Sequence, residues 1–272
     1  MTTNALCISL RRACVTAAFL LAVSASLAAD VTGTLVTKDD KSFTGVIKWR
    51  GSARVYVITT DKKIDLEFAP AQVKEVSIPE PAGFKDAQKA VQEGRPQQAI
   101  PVLERIAQDY AMLQWDEPAA RSLAEAYLSS GDTAGALRAC DKVISAKPDA
   151  AYAGEMAPLY WQALLKSGKT SKLEDLLDQA VKTGAPEAAA FALIMRGDAL
   201  TAKGDFKAAL KDGYLRVVTL YRAVRGAQPE ALYKAAKAFE QLNQPTRADT
   251  MRKQLLTEFG SSDWANQVKG GK

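Results

Sequence analysis

Hydrophobic and polar positions follow two rhythms along this chain. Over residues 31–37, 43–50, 55–60, 64–68 and 73–78 the apolar residues form short runs rich in β-branched and aromatic side chains. Turn signals separate these runs: Lys38, Asp39, Asp40 and Lys41, then Gly51, Ser52 and Ala53, then Asp61, Lys62 and Lys63, then Ala69 and Pro70. In the second run Phe43, Gly45, Ile47 and Trp49 alternate with Thr44, Val46, Lys48 and Arg50, the period-two pattern of a strand with one buried face. Five strands at hairpin spacing predict a small all-β domain over residues 30–78, closed into a barrel because closure removes sheet edges. Pro79, Pro81 and Gly83 then end the β pattern and make residues 79–83 a stiff linker.

From Phe84 the period becomes helical, and the segment repeats. Gly94, Gly131, Gly168 and Gly204 are spaced 37, 37 and 36 residues apart, each between two helical patterns, and Asn243 follows 39 residues after Gly204. A helix C-terminus commonly ends in a left-handed residue, which glycine adopts freely and asparagine tolerates best after it. Seven residues before each turn stand Ala87, Ala124, Trp161, Gly197 and Ala236, and five after it stand Ala99, Ala136, Leu173, Ala209 and Ala248. Small residues recurring at one spacing mark where paired helices approach closely. The prediction is an all-α stack of five helical hairpins over residues 84–260, with a capping helix and tail over 261–272.

Both segments resemble known folds. The strand segment resembles an SH3-like or Sm-like barrel in its texture. Trp49 and Tyr56 are its candidate binding aromatics, core packing or docking on a neighbouring domain being the plainer role. The helical segment resembles the tetratricopeptide repeat. In the second unit Ala120, Leu123, Ala124 and Tyr127 match W-x2-L-G-x2-Y, with alanine for tryptophan and for glycine; Ala136 and Cys140 match A-x3-F, and Pro148 the closing proline. The fourth unit carries Gly197, Gly204 and Ala209, and the fifth Leu232, Ala235, Ala236, Phe239 and Ala248. The third departs most, with Trp161 at a small position and Leu173 for the alanine. The period exceeds the family's 34 residues, implying an extra half to full helical turn or longer links between units. Leu255, Phe259, Ser262 and Ala265 resemble the L-x-x-x-F-P-x-S-x-x-A ending of repeats in periplasmic envelope proteins, with Gly260 for the proline.

The resemblance implies a superhelix whose concave face is lined by the first helix of each hairpin and binds extended peptides or partner helices. Arg121, Glu125, Gln162, Asp198, Thr201, Tyr233, Lys237 and Glu240 occupy groove positions, and their mixed polarity suits a peptide carrying both charges. A plain solvated face is the bland alternative. The lysine and asparagine clamp by which some members hold a C-terminal carboxylate does not appear at these positions.

Composition narrows the chemistry. The chain has 272 residues, 47% hydrophobic and 25% charged, as expected of a protein with a packed core. It contains no histidine, which removes histidine-dependent triads, HExxH zinc sites and histidine pH switching. Residues 1–29 read as a secretory signal peptide: Arg11 and Arg12, an uncharged run over 13–23, then small residues at the cut. Eleven residues at about 1.5 Å each cover about 16 Å, half of a bilayer core. Without that segment 36 − 2 = 34 bases face 31 acids, and the net charge falls from +5 to +3. So small an excess does not point to nucleic acid. Of Cys7, Cys14 and Cys140 only the last remains, and it reads as a buried, inert thiol. Glu174, Asp175 and Asp178 read as a solvated patch in preference to a metal site, and Tyr160 with Trp161 as packing in preference to sugar stacking. The sequence thus predicts an exported, periplasmic, non-catalytic scaffold for protein or peptide partners, with no cofactor or metal and no stable membrane insertion. The alternatives are an envelope factor assisting cell-wall synthesis, division or outer-membrane assembly, and a glycan-binding module using Trp49, Tyr56 or Tyr233.

Overall fold

The computed structural model describes residues 30–270; the leader expected at residues 1–29 lies outside the described residues. The predicted strands form β1 (Thr32–Thr37), β2 (Ser42–Arg50), β3 (Val55–Thr60), β4 (Asp65–Phe68) and β5 (Val73–Ser77). All pairings are antiparallel, in the order β4-β3-β2-β1-β5. In a flat sheet four steps of about 4.8 Å would hold β4 and β5 about 19 Å apart. The link from Phe68 to Val73 reaches at most about 18 Å when fully extended, and it is wound into a 3-10 turn over Pro70–Gln72. The sheet is therefore rolled. The rings of Phe43 on β2 and Phe68 on β4 meet across the roll at 5.0 Å. β4 and β5 each pair with one strand only, so the link joins them where hydrogen bonds do not. Leu35, Ile47 and Ile58, from three successive strands, fill the interior with no exposed surface.

The remainder is helical: α1 (Phe84–Gln92), α2 (Pro96–Asp109), α3 (Asp116–Ser130), α4 (Thr133–Ala146), α5 (Met156–Lys166), α6 (Thr170–Lys182), α7 (Pro186–Ala202), α8 (Phe206–Ala208), α9 (Leu215–Leu220), α10 (Gln228–Gln241), α11 (Pro245–Glu258) and α12 (Asp263–Lys269). A π-helical segment, Ala209–Tyr214, joins α8 to α9. Five hairpins result, with α12 laid against the last. Gly94, Gly131, Gly168 and Gly204 turn the chain at φ between 72° and 85°, and Asn243 at 54°. Every small residue singled out by its spacing is buried, and Ala99, Ala136, Leu173, Ala209 and Ala248 have no exposed surface at all. The long period goes mainly into the links, at 110–115, at 147–155 around a 3-10 turn (Pro148–Ala151), and at 221–227; α7 is itself 17 residues long.

The two hairpins that break the pattern do so in different ways. In the third, the Trp161 indole fills the position meant for a small residue, and α5 and α6 touch less than the helices of any other hairpin. Its Nε1 donates to the Ala151 carbonyl at 2.9 Å, which ties the preceding 3-10 turn to α5. In the fourth, Gly197 and Gly213 stand back to back: a Cβ on Gly213 would come within 2.7 Å of the Gly197 Cα. The A-x3-F spacing from Ala209 asks for an aromatic at 213. A π-turn admits one extra residue, and Tyr214 takes the place instead.

The barrel is docked on the link between α2 and α3. Leu113, 1% exposed, enters the barrel core. Trp115 Nε1 donates to the Ile78 carbonyl at 2.9 Å, the Ile78 N–H donates to Gln114 Oε1 at 3.2 Å, and the Trp115 ring meets Phe84 edge-on at 5.3 Å. Met112 and Gln114 hold φ of 60° and 51°, a conformation that L-residues adopt at a cost and that this docking maintains.

Candidate functional site

Three clefts follow the first helices of the hairpins. The first, about 430 Å³, lies between the barrel and α3/α5 and is lined by Tyr56, Met112, Asp116, Arg121, Lys147 and Glu155 among others. Two ion pairs cross it, Arg121 with Glu155 and Lys147 with Glu117, while Asp116 accepts from the Met112 N–H at 2.8 Å. The hydrogen bond from Glu117 raises the Lys147 pKa. Burial, then the nearby Asp116 carboxylate, raises that of the Tyr56 phenol. Trp49 packs edge-on against Tyr56 at 4.9 Å, so of the two barrel aromatics it is Tyr56 that faces the helices.

The second cleft, about 390 Å³, lies between α5 and α7 and is lined by Tyr152, Ala157, Pro158, Trp161, Phe191 and their neighbours, with Glu155 and Glu187 at its rim. The third, about 450 Å³, lies between α7 and α10 and takes in Asp198, Thr201, Phe206, Tyr214, Lys234 and Lys237. There Lys234 Nζ donates to Asp198 and to Glu230, both at 2.6 Å, while the Tyr214 hydroxyl donates to Asp198 at 2.8 Å and lies 3.1 Å from Thr201 Oγ1. Burial lowers the Lys234 pKa, but Asp198 and Glu230 outweigh it and the net shift is upward. Burial, then Asp198, keeps the Tyr214 phenol protonated far beyond its usual range.

The residues expected in the groove divide by what they do. Arg121 is held by Glu155, and Asp198 and Thr201 by the third-cleft network. Tyr233 packs on Trp264 at 5.1 Å, and Glu240 pairs with Arg252. Lys237 is exposed, with its ammonium 5.8 Å from the Tyr233 ring and 3.8 Å from Glu240. Gln162 and Glu125 are exposed. Burial raises the Glu125 carboxyl pKa against the opposing Arg121 guanidinium, although solvent reaches the residue. The spacing overlooked Lys234, Tyr214, Glu155, Glu187 and Phe191. Lys234 follows a groove position directly, and Tyr214 is displaced by the π-turn.

The side chains read as structural are so placed. Cys140 has no exposed surface, and burial, then Asp141, pushes its thiol pKa up to about 12. Tyr160 and Trp161 are each 1% exposed. Glu174 and Asp178 reach Arg196 on α7 at 3.6 and 2.5 Å, so two of the three clustered acids are ion-paired.

A family profile described as Tetratricopeptide repeat matches residues 90–157, and a second with the same description matches residues 230–262. Among solved structures, the chain is similar to a putative kinesin light chain of Podosopora anserina with nearly identical TPR-like repeats: 17% identity, 65% of this chain, 92% of that one, TM-score 0.49. It is similar also to MamA AMB-1, with 19% identity over 63% of this chain and 94% of that one, TM-score 0.38. No curated protein matches. Repeats of this kind mediate protein–protein interaction, which makes the helical domain an interaction scaffold. With two matched blocks at either end of five hairpins, the helical domain carries tetratricopeptide repeats.

Proposed function

We propose that the protein is an exported, non-catalytic scaffold of the cell envelope that holds a peptide segment of a partner protein along the first helices of its hairpins. The observation that carries this reading is the succession of three clefts between the barrel, α3, α5, α7 and α10, with exposed Glu125, Gln162 and Lys237 on the same helices. Support for export comes from the basic, apolar and small-residue order of residues 1–29. Among the described residues no helix is long and apolar enough to cross a membrane. The barrel closes one end of the row, and Tyr56 contributes to the first cleft, so the reading gives both domains to one surface.

The test is photo-cross-linking in envelope extract. A photoreactive residue replaces Gln162, which is exposed on a first helix, or Asp175, exposed on the second helix α6. A partner cross-linked from position 162 and not from position 175 is the expected result. Equal labelling from both, or labelling from 175 alone, rejects the groove.

A further inference from the structure

The second cleft differs from its neighbours in chemistry. Its walls are the apolar parts of Tyr152, Ala157, Pro158, Trp161 and Phe191, and no lysine or arginine lines it. A cavity of about 150 Å³ already accommodates benzene, so about 390 Å³ has room for an aromatic side chain and part of its backbone. The pocket exists because the third hairpin breaks the repeat. Trp161 occupies a small-residue position, and its hydrogen bond to Ala151 fixes the 3-10 turn that leads into the Tyr152 to Gly154 wall. Gly154 turns that wall at φ 76°. Two carboxylates stand at the rim. Glu155 is held by Arg121, while Glu187 is exposed and has no ion-pair partner among the described residues. An apolar floor with an uncompensated negative rim attracts one combination of groups and repels its opposite.

We infer that this cleft receives one bulky apolar side chain of the partner, followed in the partner's sequence by arginine or lysine that meets Glu187. The inference rests on the groove reading above and adds the chemistry of the occupant. Binding places the apolar side chain against Trp161 and Phe191 and the cation at the rim. The neighbouring clefts fit this motif less well: Glu155, Glu117 and Asp198 are already answered by Arg121, Lys147 and Lys234, and Asp116, which accepts from the Met112 N–H, stands in a cleft whose lining also carries Arg121 and Lys147 against an incoming cation.

The test measures fluorescence anisotropy of the purified protein with three labelled hexapeptide sets: phenylalanine followed by arginine at the centre, phenylalanine followed by glutamate, and alanine followed by arginine. The first set is expected to bind tightest. Glu187→Lys, a surface change, is expected to weaken it roughly tenfold, and Ala188→Trp, which fills the mouth, to abolish it. Asp175→Lys, exposed on the second helix α6 and outside the groove, is expected to leave it unchanged. Should Ala188→Trp disturb folding, Glu187→Lys and the ranking of the sets still decide. Preference for the glutamate set, equal binding of all three, or binding indifferent to Glu187→Lys and Ala188→Trp overturns the inference and leaves the groove reading standing, since peptides still bind. Absence of binding up to about 1 mM also overturns it, and the cross-linking from position 162 then judges the groove separately.

Discussion

Helix α7 has two unlike sides. Toward α5 it offers Phe191 and an open apolar cleft; toward α10 it offers Asp198, locked to Lys234 and Tyr214. The helical core divides along the same line: Ala192 and Ala199 pack with the hairpins before α7, and Ala190, Leu193 and Ile194 with those after it. One junction is thus fixed by polar cross-links, while the next leaves apolar surface uncovered. Neighbouring units of one solenoid need not do the same work, and the departures from the repeat mark where they differ.

Three substitutions break or sharpen that contrast. Trp161→Ala has the largest expected effect. It removes a buried indole and its hydrogen bond to Ala151, at a cost of about 4 kcal/mol in urea-induced unfolding, and it takes the floor from the α5/α7 cleft. An effect below about 1 kcal/mol would mean that the third hairpin collapses to the regular geometry without it.

Lys234→Met acts on the other side. It leaves Asp198 and Glu230 facing each other without a cation, with side chains 22% to 23% exposed in this cluster. The expected loss is about 2 kcal/mol at neutral pH, below that of a fully buried pair because water still reaches the site. The raised pKa of Lys234 fixes the pH dependence. Its ion pairs contribute fully below the lysine's unfolded value, near about 10.4, and the advantage over the variant shrinks as pH rises through the higher folded value. A difference that stays constant to high pH would assign the effect to packing. Glu125→Gln is the smallest change. The raised carboxyl pKa means that folding disfavours the charged form, so the variant is expected to gain less than about 0.5 kcal/mol at pH 7. That gain disappears as pH falls through the carboxylate range and the native side chain takes up its proton. Thermal melts of both proteins across pH 3 to 7, about the range in which a carboxyl titrates, check it.

The fold was legible because it depends on backbone punctuation and size. A residue that must take positive φ, and a pair of helices that must nearly touch, leave a mark at single positions such as Gly131, Ala124 and Ala136. Strand alternation over Phe43 to Arg50 placed β2 the same way. The barrel's docking was not legible, since Met112 and Gln114 adopt positive φ without being glycine and Trp115 reaches Ile78 from 37 residues away. Nor was the Asp198 network. Tyr214 stands one residue off the expected spacing until the π-turn shifts it, and the Lys234 contacts depend on which way a long side chain turns between two helices.

Stacked hairpins interact chiefly with their nearest neighbours, so a terminal unit, having one neighbour, is ordinarily where such a stack begins to fray. Here both extremities are secured. The barrel grips the first link through Leu113 and Trp115, and α12 covers the last hairpin, its Trp264 ring lying on Tyr233. Of the five hairpins the loosest is then internal, the one in which α5 and α6 touch least. Held at both ends, the stack is loosest in its middle hairpin, whose α5 is also a wall of the apolar pocket.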